Sequence, residues 1–326
     1  MAEAPKILVS VVSYRCAEET TECVTSLQGS MLKPVQVHIC ENGGGEAYAE
    51  ILALFEQTFG TSAPAETKGK QARLWKALDP GFDLILHDAG ANLGYAGGVN
   101  LCVHSADTEW TRLFVLNPDC RVLPETLSAL ENYTTTGSYG MVGCRILFRE
   151  SGRVQMYGGG EWRSWMGRAR NIGFMSQGDA KPDIAAVERE LDYICGAALY
   201  ATRDCIGAIG LMREDYFLYM EEVDWCFRHG DFKLGYCHES VVLHGHGVTT
   251  GASVDPGQRS PLSIYLNERN KLAFTRRFFP GRYPVTALLT LALTGLYIRR
   301  SGWASFKVAL SGWWAGIRHE TGRPDW

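Results

Sequence analysis

The segment Tyr216–Asp224 reads Tyr-Phe-Leu-Tyr-Met-Glu-Glu-Val-Asp. It sets two adjacent carboxylates, Glu221 and Glu222, behind an aromatic run, with a third, Asp224, two residues on. Trp225 and Arg228 follow, and imidazoles return at His244 and His246. A carboxylate held among aromatic rings binds its proton more tightly, because burial disfavours the charged form, and that suits a general base. A histidine returning at a strand end can complete a metal site begun elsewhere in the chain. Asp119, in Leu116-Asn117-Pro118-Asp119, is the partner carboxylate on offer. Together these residues describe an enzyme that activates a hydroxyl beside a metal-bound leaving group.

The rest of the chain must position them. At 326 residues and 46% apolar content it can bury a sizeable core, as one large domain or two small ones. A net charge of −4 does not describe a dedicated nucleic-acid binder. None of the ten cysteines forms a Cys-x-x-Cys pair, and most sit in apolar segments. The expectation is reduced, buried thiols in a cytosolic protein, with neither a disulfide framework nor a cysteine zinc site. The N-terminus has no apolar signal region, so secretion is not expected. Val285–Ile298 is strongly apolar, but it falls short of the roughly 20 residues a bilayer span needs and ends at Arg299 and Arg300.

Strand-like runs occur at Ile7–Val12, Val35–Cys40, Asp83–His87 and Arg112–Leu116, with helical segments expected near Glu18–Leu27, Ala47–Phe55 and Asn100–Ser105. Such alternation predicts an α/β fold with a mostly parallel sheet covered on both faces. Ligands in such sheets bind beyond the carboxyl ends of the strands. The turns at Ser13–Arg15, Glu41–Gly45, Gly90–Gly98 and Asn117–Asp119 all follow strands, so they should gather along one edge. Thr58–Lys70 reads as a loop and Gly158–Phe174 as a long functional loop carrying Trp162, Arg163, Trp165 and Arg168. Leu191–Ala201 reads as one strand, and Lys233–Cys237 and Ser240–His244 as two short ones. Thr249–Ser260 is a boundary or mobile loop. Helices are expected over Pro261–Phe279, Val285–Ile298 and Trp303–Ile317.

Read in order, Ser13-Tyr14, Glu41-Asn42, Asn92-Leu93-Gly94-Tyr95-Ala96-Gly97-Gly98-Val99-Asn100, Asn117-Pro118-Asp119, Glu221-Glu222-Val223-Asp224, His244 and Arg269-Asn270 resemble the motifs of the family 2 inverting glycosyltransferases. The likeness is closest to their rhamnosyltransferase-like branch and covers nearly the whole chain. It implies a GT-A fold, a Rossmann-like sheet with helices on both faces, through about residue 255, and a helical C-terminal extension over 256–326. It also implies transfer of a sugar, with inversion, from a nucleotide diphosphate to an acceptor hydroxyl.

The resemblance carries roles residue by residue. Ser13, Tyr14, Arg15, Glu41, Asn92, Gly94, Gly97, Gly98, Asn100, Asn117 and Arg269 fall on the donor side. Relatives have aspartate where Glu41 stands, accepting the pyrimidine N3–H, and a longer glutamate changes the reach. Asn117-Pro118-Asp119 stands where relatives carry Asp-x-Asp, so Asp119 and His244 would hold Mg²⁺ or Mn²⁺, with His246 the rival histidine. Glu222 takes the place of the base, with Glu221 its neighbour. Trp225 packs behind, and Asp224 orients the loop or the acceptor, or pairs with Arg228 four residues on. Arg269 would face the diphosphate.

The implied donor is a dTDP- or UDP-sugar, dTDP-L-rhamnose first. The acceptor would be a cell-surface glycan or a polyprenyl-diphosphate-linked saccharide. The apolar and tryptophan-rich C-terminal segments suit a peripheral contact on the cytoplasmic face of the inner membrane, a packed helical domain or a homodimer interface. Two other readings stand beside this one. A nucleotidyltransferase shares a related sheet, but Ser13-Tyr14-Arg15 replaces its usual Gly-rich, Lys-bearing first loop. A non-catalytic nucleotide-sugar-binding or membrane scaffold protein is the other, since Glu222 and Asn117 both depart from the aspartates of relatives.

Overall fold

A computed structural model of the protein describes residues 4–67, 70–78, 81–107, 109–245 and 259–325. Ile7–Ser13 (β1) leads into Ala17–Gln28 (α1), Gln36–Glu41 (β2) and Gly45–Phe59 (α2). A hairpin of Ala63–Thr67 (β3) and Lys70–Leu78 (β4) precedes Phe82–Asp88 (β5), Gly94–Ser105 (α3) and Arg112–Leu116 (β6). Next come Cys120–Val122 (β7), Thr126–Thr134 (α4), Tyr139–Phe148 (β8), Val154–Tyr157 (β9), Gly159–Arg163 (β10), Arg168–Asn171 (β11), Ile184–Glu190 (α5) and Tyr193–Ile194 (β12). Ala198–Thr202 (β13), Arg203–Ile209 (α6), a 3₁₀ turn at Glu214–Tyr216, Glu221–Phe227 (α7) and Lys233–His244 (β14) complete the sheet region. Pro261–Phe278 (α8), Tyr283–Thr294 (α9) and Leu296–Ile317 (α10) close the chain.

The large sheet runs β3-β4-β5-β2-β1-β6-β13-β8-β14-β7, with β9 on β8. Its parallel heart, β5-β2-β1-β6, is what the alternating pattern requires. Every residue of β1 is buried, because both faces are covered. Successive side chains on a strand point to opposite faces. Ile7, Val9 and Val11 accordingly join the core under α1, α2 and α4, while Leu8 and Val12 join the core under α3, α6, α7 and α8.

Register places the site. Ser13 pairs with Glu41, and Glu41 with Asp88, so β1, β2 and β5 end in line. β13 is antiparallel to both β6 and β8, which restores the direction of β6 in β8 and in its parallel partner β14. His244, the last residue of β14, therefore reaches the same edge and pairs with Cys120.

Several expectations are corrected. The 58–70 region holds β3 and the start of β4, edge strands of small and polar residues that are fixed by pairing with β5 and by Trp75 packing on Phe55. The helix expected at Asn100 begins at Gly94, inside the Gly-rich run. Gly98 allows it, because a Cβ there would lie 2.7 Å from Val12 on β1. The long loop after Gly158 is instead a three-stranded sheet, β11-β10-β12. The single strand expected over 191–201 is broken by a turn at 195–197, and the two strands expected over 233–244 are one, irregular between Cys237 and Val241. Most of Thr249–Ser260 lies outside the described residues.

All ten cysteines are free and buried. Among the C-terminal helices, α9 ends at Thr294 and α10 starts at Leu296, with non-helical backbone at Gly302. No helix among the described residues is long and apolar enough to cross a membrane. α8 enters the core of the sheet domain, where Phe274 packs edge-on against Trp162 and Phe227.

Candidate active site

Five residues singled out from the sequence line one cleft of about 140 Å³ at the carboxyl edge of the sheet: Tyr14, Asn42, Asn92, Gly94 and Asn117. Tyr14 follows β1 and is 40% exposed; the Arg15 guanidinium lies over its ring, 5.7 Å from the centroid, and the exposed ring can take a flat partner. Asn42 donates its amide N–H to the Gly94 carbonyl (2.9 Å), and Asn92 Oδ1 accepts the Gly94 N–H (3.0 Å). Gly94 has φ +74°, and a Cβ there would sit 2.2 Å from the Phe217 carbonyl oxygen. That carbonyl accepts the Tyr95 N–H at 2.9 Å, so only glycine lets α3 dock this closely.

Glu41 is turned inward. Its carboxylate accepts Ser13 Oγ–H (2.5 Å) and the N–H groups of Arg15 (3.2 Å) and Gly43 (2.6 Å), and the residue is 1% exposed. It fixes the loops after β1 and β2, and the base contact implied by the family likeness would need its remaining acceptor site. Gly97 and Gly98 lie within α3 and pack on Leu93 and Val12. Asn100 donates to Met212 O (2.9 Å) and Glu214 Oε1 (2.8 Å). Arg269 is 1% exposed, with its guanidinium on the carbonyls of Tyr216 (2.9 Å) and Gly322 (2.8 Å). These four residues shape the site from behind.

Asp119 and His244 meet as the sequence predicts. Both are buried, and Asp119 Oδ1 lies 3.2 Å from His244 Nε2. Gln155 Oε1 stands 2.8 Å from His244 Nδ1. With the ring proton on Nδ1, Nε2 offers a lone pair beside Asp119 Oδ1 where a cation can be held; with it on Nε2, the ring donates directly to Asp119. Cys120 Sγ belongs to the same cluster. Without a cation, burial pushes its thiol pKa far up, and Sγ–H donates to the Ala197 carbonyl (3.4 Å). One carboxylate oxygen and one imidazole nitrogen are a ligand pair that a divalent cation can take. His246 lies outside the described residues.

The acids stand at the start of α7. Glu221 is buried, and burial, then the charge of Glu222, pushes its pKa up to about 8. Glu222 is partly exposed, and its pKa is also raised by burial, against the N–H groups of Glu222, Val223 and Met220. It faces Gly196, where a Cβ would lie 3.2 Å from Glu222 Cγ. Asp224 is fully buried and accepts Tyr216 Oη–H (2.9 Å), Arg228 Nε–H (2.9 Å) and Arg277 Nη1–H (2.8 Å), so the expected pairing with Arg228 is present within a larger network. Trp225 is buried behind α7, with Nε1–H on the Gly210 carbonyl (2.8 Å).

The turn at 195–197 joins the two halves of the site. The Ala197 carbonyl accepts the Asn117 N–H at 2.9 Å, and the Gly196 carbonyl accepts Tyr95 Oη–H at 2.6 Å. The Cys195 thiol is pushed up to about 12, chiefly by burial, and feels the charges of both Glu222 and Asp119. The small run Gly196-Ala197-Ala198, which reads in sequence as the middle of a strand, begins within this turn. Gln155 gave none, because it sits on the short strand β9, which the pattern did not reveal. Arg149 also went unread, and its Nη2 lies 3.5 Å from where a Gly245 Cβ would be, beside the Asp119 turn.

Comparison with known proteins fixes the fold. The chain is 25% identical over 274 residues, 79% of this chain and 83% of the relative, to the low-salt glycan biosynthesis hexosyltransferase Agl10 of Haloferax volcanii. It superposes on the mannosyltransferase PcManGT from Pyrobaculum calidifontis, in complex with GDP-Man and Mn²⁺, with TM-score 0.53 at 10% identity, covering 97% of this chain and 88% of that one. For S. aureus TarS 1-349 the TM-score is 0.52 at 11% identity, over 96% and 81% of the two chains. For GalNAc-T7 with UDP, GalNAc and Mn²⁺ it is 0.58 at 11% identity, over 97% and 55%. The fold is of the GT-A type. No family model matches the chain.

Proposed function

We propose that the protein is a metal-dependent inverting glycosyltransferase that moves a sugar from a nucleotide diphosphate to an acceptor hydroxyl. One observation carries this reading: the donor-side residues Tyr14, Asn92, Gly94 and Asn117, together with Asn42, line a single cleft, while Asn117 and Glu222 both border the turn at 195–197. The Agl10 relative is named a hexosyltransferase, and two of the superposed structures hold a nucleotide or nucleotide sugar with Mn²⁺, which agrees with it.

The cleft has room for one ring rather than a whole nucleotide sugar, so it takes the base, stacked on Tyr14. The diphosphate extends towards Asp119 and His244, past Arg149. A divalent cation held by Asp119 Oδ1 and His244 Nε2 would neutralise charge on the departing diphosphate. Glu222 accepts the acceptor hydroxyl proton as its oxygen bonds to the anomeric carbon. The bond from that carbon to the diphosphate oxygen breaks on the opposite face, its electron pair leaves with the nucleoside diphosphate, and configuration inverts. Burial raises both carboxyls, and the charge of Glu222 raises Glu221 further, so the pair resists carrying two negative charges; Glu222, the more exposed of the two, is the one an acceptor can reach.

The resemblance to the rhamnosyltransferase-like branch of family 2 makes dTDP-L-rhamnose the first donor to try and UDP-sugars the second. A second cavity, about 350 Å³, is lined by Trp162, Arg168, Met220, Arg259, Lys271 and Arg300, and its cations outnumber Glu268, the acid that pairs with Lys271 at 2.7 Å. Met220 immediately precedes the acids, so a phosphate-bearing acceptor fits there. The exposed Leu288, Trp303 and Trp314 on α9 and α10 suit the surface of a membrane carrying such an acceptor, touched from the cytoplasmic side.

The test is titration calorimetry of dTDP, UDP and GDP with and without Mn²⁺ or Mg²⁺. Binding of one nucleoside diphosphate that is metal-dependent and at least tenfold weaker in Asp119→Ala is expected. Equal binding with and without metal would refute the metal assignment, and no binding of any of the three would refute the donor site.

A further inference from the structure

The loop that delivers Glu221 and Glu222 has a backbone its own residues disfavour. Phe217 (φ +65°), Tyr219 (φ +70°) and Met220 (φ +81°) all take the left-handed region, and none is glycine. Phe217 has ψ −55°, and the Leu218 N–H reaches back to the Tyr216 carbonyl at 2.8 Å. That is a γ-turn of the rare, strained kind. Three such residues among four consecutive positions will not hold this shape unless the surroundings impose it.

The surroundings that impose it are specific. Asn270, buried on α8, turns its amide nitrogen to three successive parts of the loop: the carbonyls of Tyr216 (3.0 Å), Leu218 (2.8 Å) and Tyr219 (2.9 Å). Its amide cannot be reversed, because Oδ1 accepts Arg269 Nε–H at 2.9 Å and a guanidinium only donates. Arg269 Nη2 adds a bond to the Tyr216 carbonyl (2.9 Å), and its Nη1 is tied to Gly322 in the C-terminal tail (2.8 Å). The Gly322 N–H in turn donates to the Asp215 carbonyl at 2.7 Å. Tyr216 O thus collects three donors.

We propose that Asn270, oriented by Arg269, is a positioning residue that holds the acid pair in its working geometry by clamping the left-handed Tyr216–Met220 loop. This role rests on the glycosyltransferase reading for its kinetic consequence, but not for its structural one. The clamp fixes the N–H groups of Tyr219 and Met220, which lie against the carboxylates of Glu221 and Glu222 respectively and favour their ionised forms. It also explains why an Arg-Asn pair, which from sequence alone points to a phosphate, is instead spent on backbone carbonyls.

The experiment compares wild type and Asn270→Ala by hydrogen exchange of the 216–222 segment, alongside the pH profile of donor turnover. Exchange there should rise at least tenfold while the β1, β2 and β6 amides stay protected. The turnover rate should fall at least thirtyfold, with its rising pH limb displaced to higher pH, because the acids lose N–H support. Unchanged exchange over 216–222 would overturn the clamp whether or not the protein turns over a sugar nucleotide. Faster exchange with an unmoved pH limb and normal turnover would overturn the positioning role. Should Asn270→Ala fail to fold, Arg269→Lys, which keeps the charge but loses the fork, is read by the same two criteria.

Discussion

Asp224 separates an anchoring carboxylate from a reacting one, and its replacement tests that distinction. The carboxylate accepts three bonds, from Tyr216, Arg228 and Arg277, at 2.8–2.9 Å, with its own side chain fully buried. Removing one partner of a buried ion pair costs about 3–5 kcal/mol, since the partner charge is stranded. Here neither charge is wholly stranded: the Arg228 and Arg277 side chains are 23% and 35% exposed, and Arg277 keeps Asp215 at 3.8 Å. That favours the lower end, about 3 kcal/mol for Asp224→Ala. Unfolding entropy of about 2.1 cal/mol/K per residue makes each kcal/mol worth about 1.5 °C in a chain of 326 residues. Calorimetric melting should therefore drop by about 5 °C. Asp224→Asn, which keeps the shape and loses the charge, should fall by roughly half as much. Asp224→Asn should also retain nucleotide binding and measurable turnover, reduced through the loop. Abolished turnover with an unchanged melting temperature would refute the argument and make Asp224 a reacting group.

Glu221→Gln probes the raised pKa of the acid pair. In the folded state the pair binds protons that the unfolded chain gives up near pH ~4.3, so its stabilising contribution is complete below that pH and is lost as pH rises through about 8. Urea midpoints between pH 4.5 and 8 should fall more steeply for wild type than for the variant, and parallel slopes would contradict the assignment. Gly94→Ala forces a Cβ onto the Phe217 carbonyl at 2.2 Å and a side chain into φ +74°. It should cost about 2–4 kcal/mol in denaturant unfolding and weaken nucleotide binding, and a loss within error would refute the close docking of α3.

The parts of the fold that were legible from sequence are those with two covered faces. β1 and β6 are near-continuous apolar runs, and such runs announce buried parallel strands; β2 and β5 hold shorter apolar stretches between Gln36, His38 and Glu41 and between Asp83 and His87. β3 and β4 were not legible, because an edge hairpin of small and charged residues is held by pairing partners rather than by its own pattern. β10 and β11 hid among glycines that admit close strand contacts: a Cβ at Gly159 would meet the Tyr193 carbonyl at 1.9 Å. Within the site, Asp119 and His244 were found because one lies in the turn just past the apolar strand β6 and the other ends β14. Gln155 and Arg149 come to the same place through β8 and β9, whose pairing no local signal foretells. Arg269 and Asn270 were visible as a pair, but their partners are backbone carbonyls, which sequence does not show.

The central claim is that Glu222 deprotonates an acceptor at a sugar-nucleotide site. Its most direct test is release of nucleoside diphosphate from dTDP-L-rhamnose and from UDP-sugars, by wild type and by Glu222→Gln, with Mn²⁺ and a lipid-phosphate saccharide acceptor present. The account predicts turnover of at least one donor by wild type and a loss of about 10²–10⁴-fold in Glu222→Gln, with nucleoside diphosphate binding unchanged. Equal rates for the two proteins would contradict Glu222 as the base, and binding without turnover by wild type would contradict the enzyme reading itself.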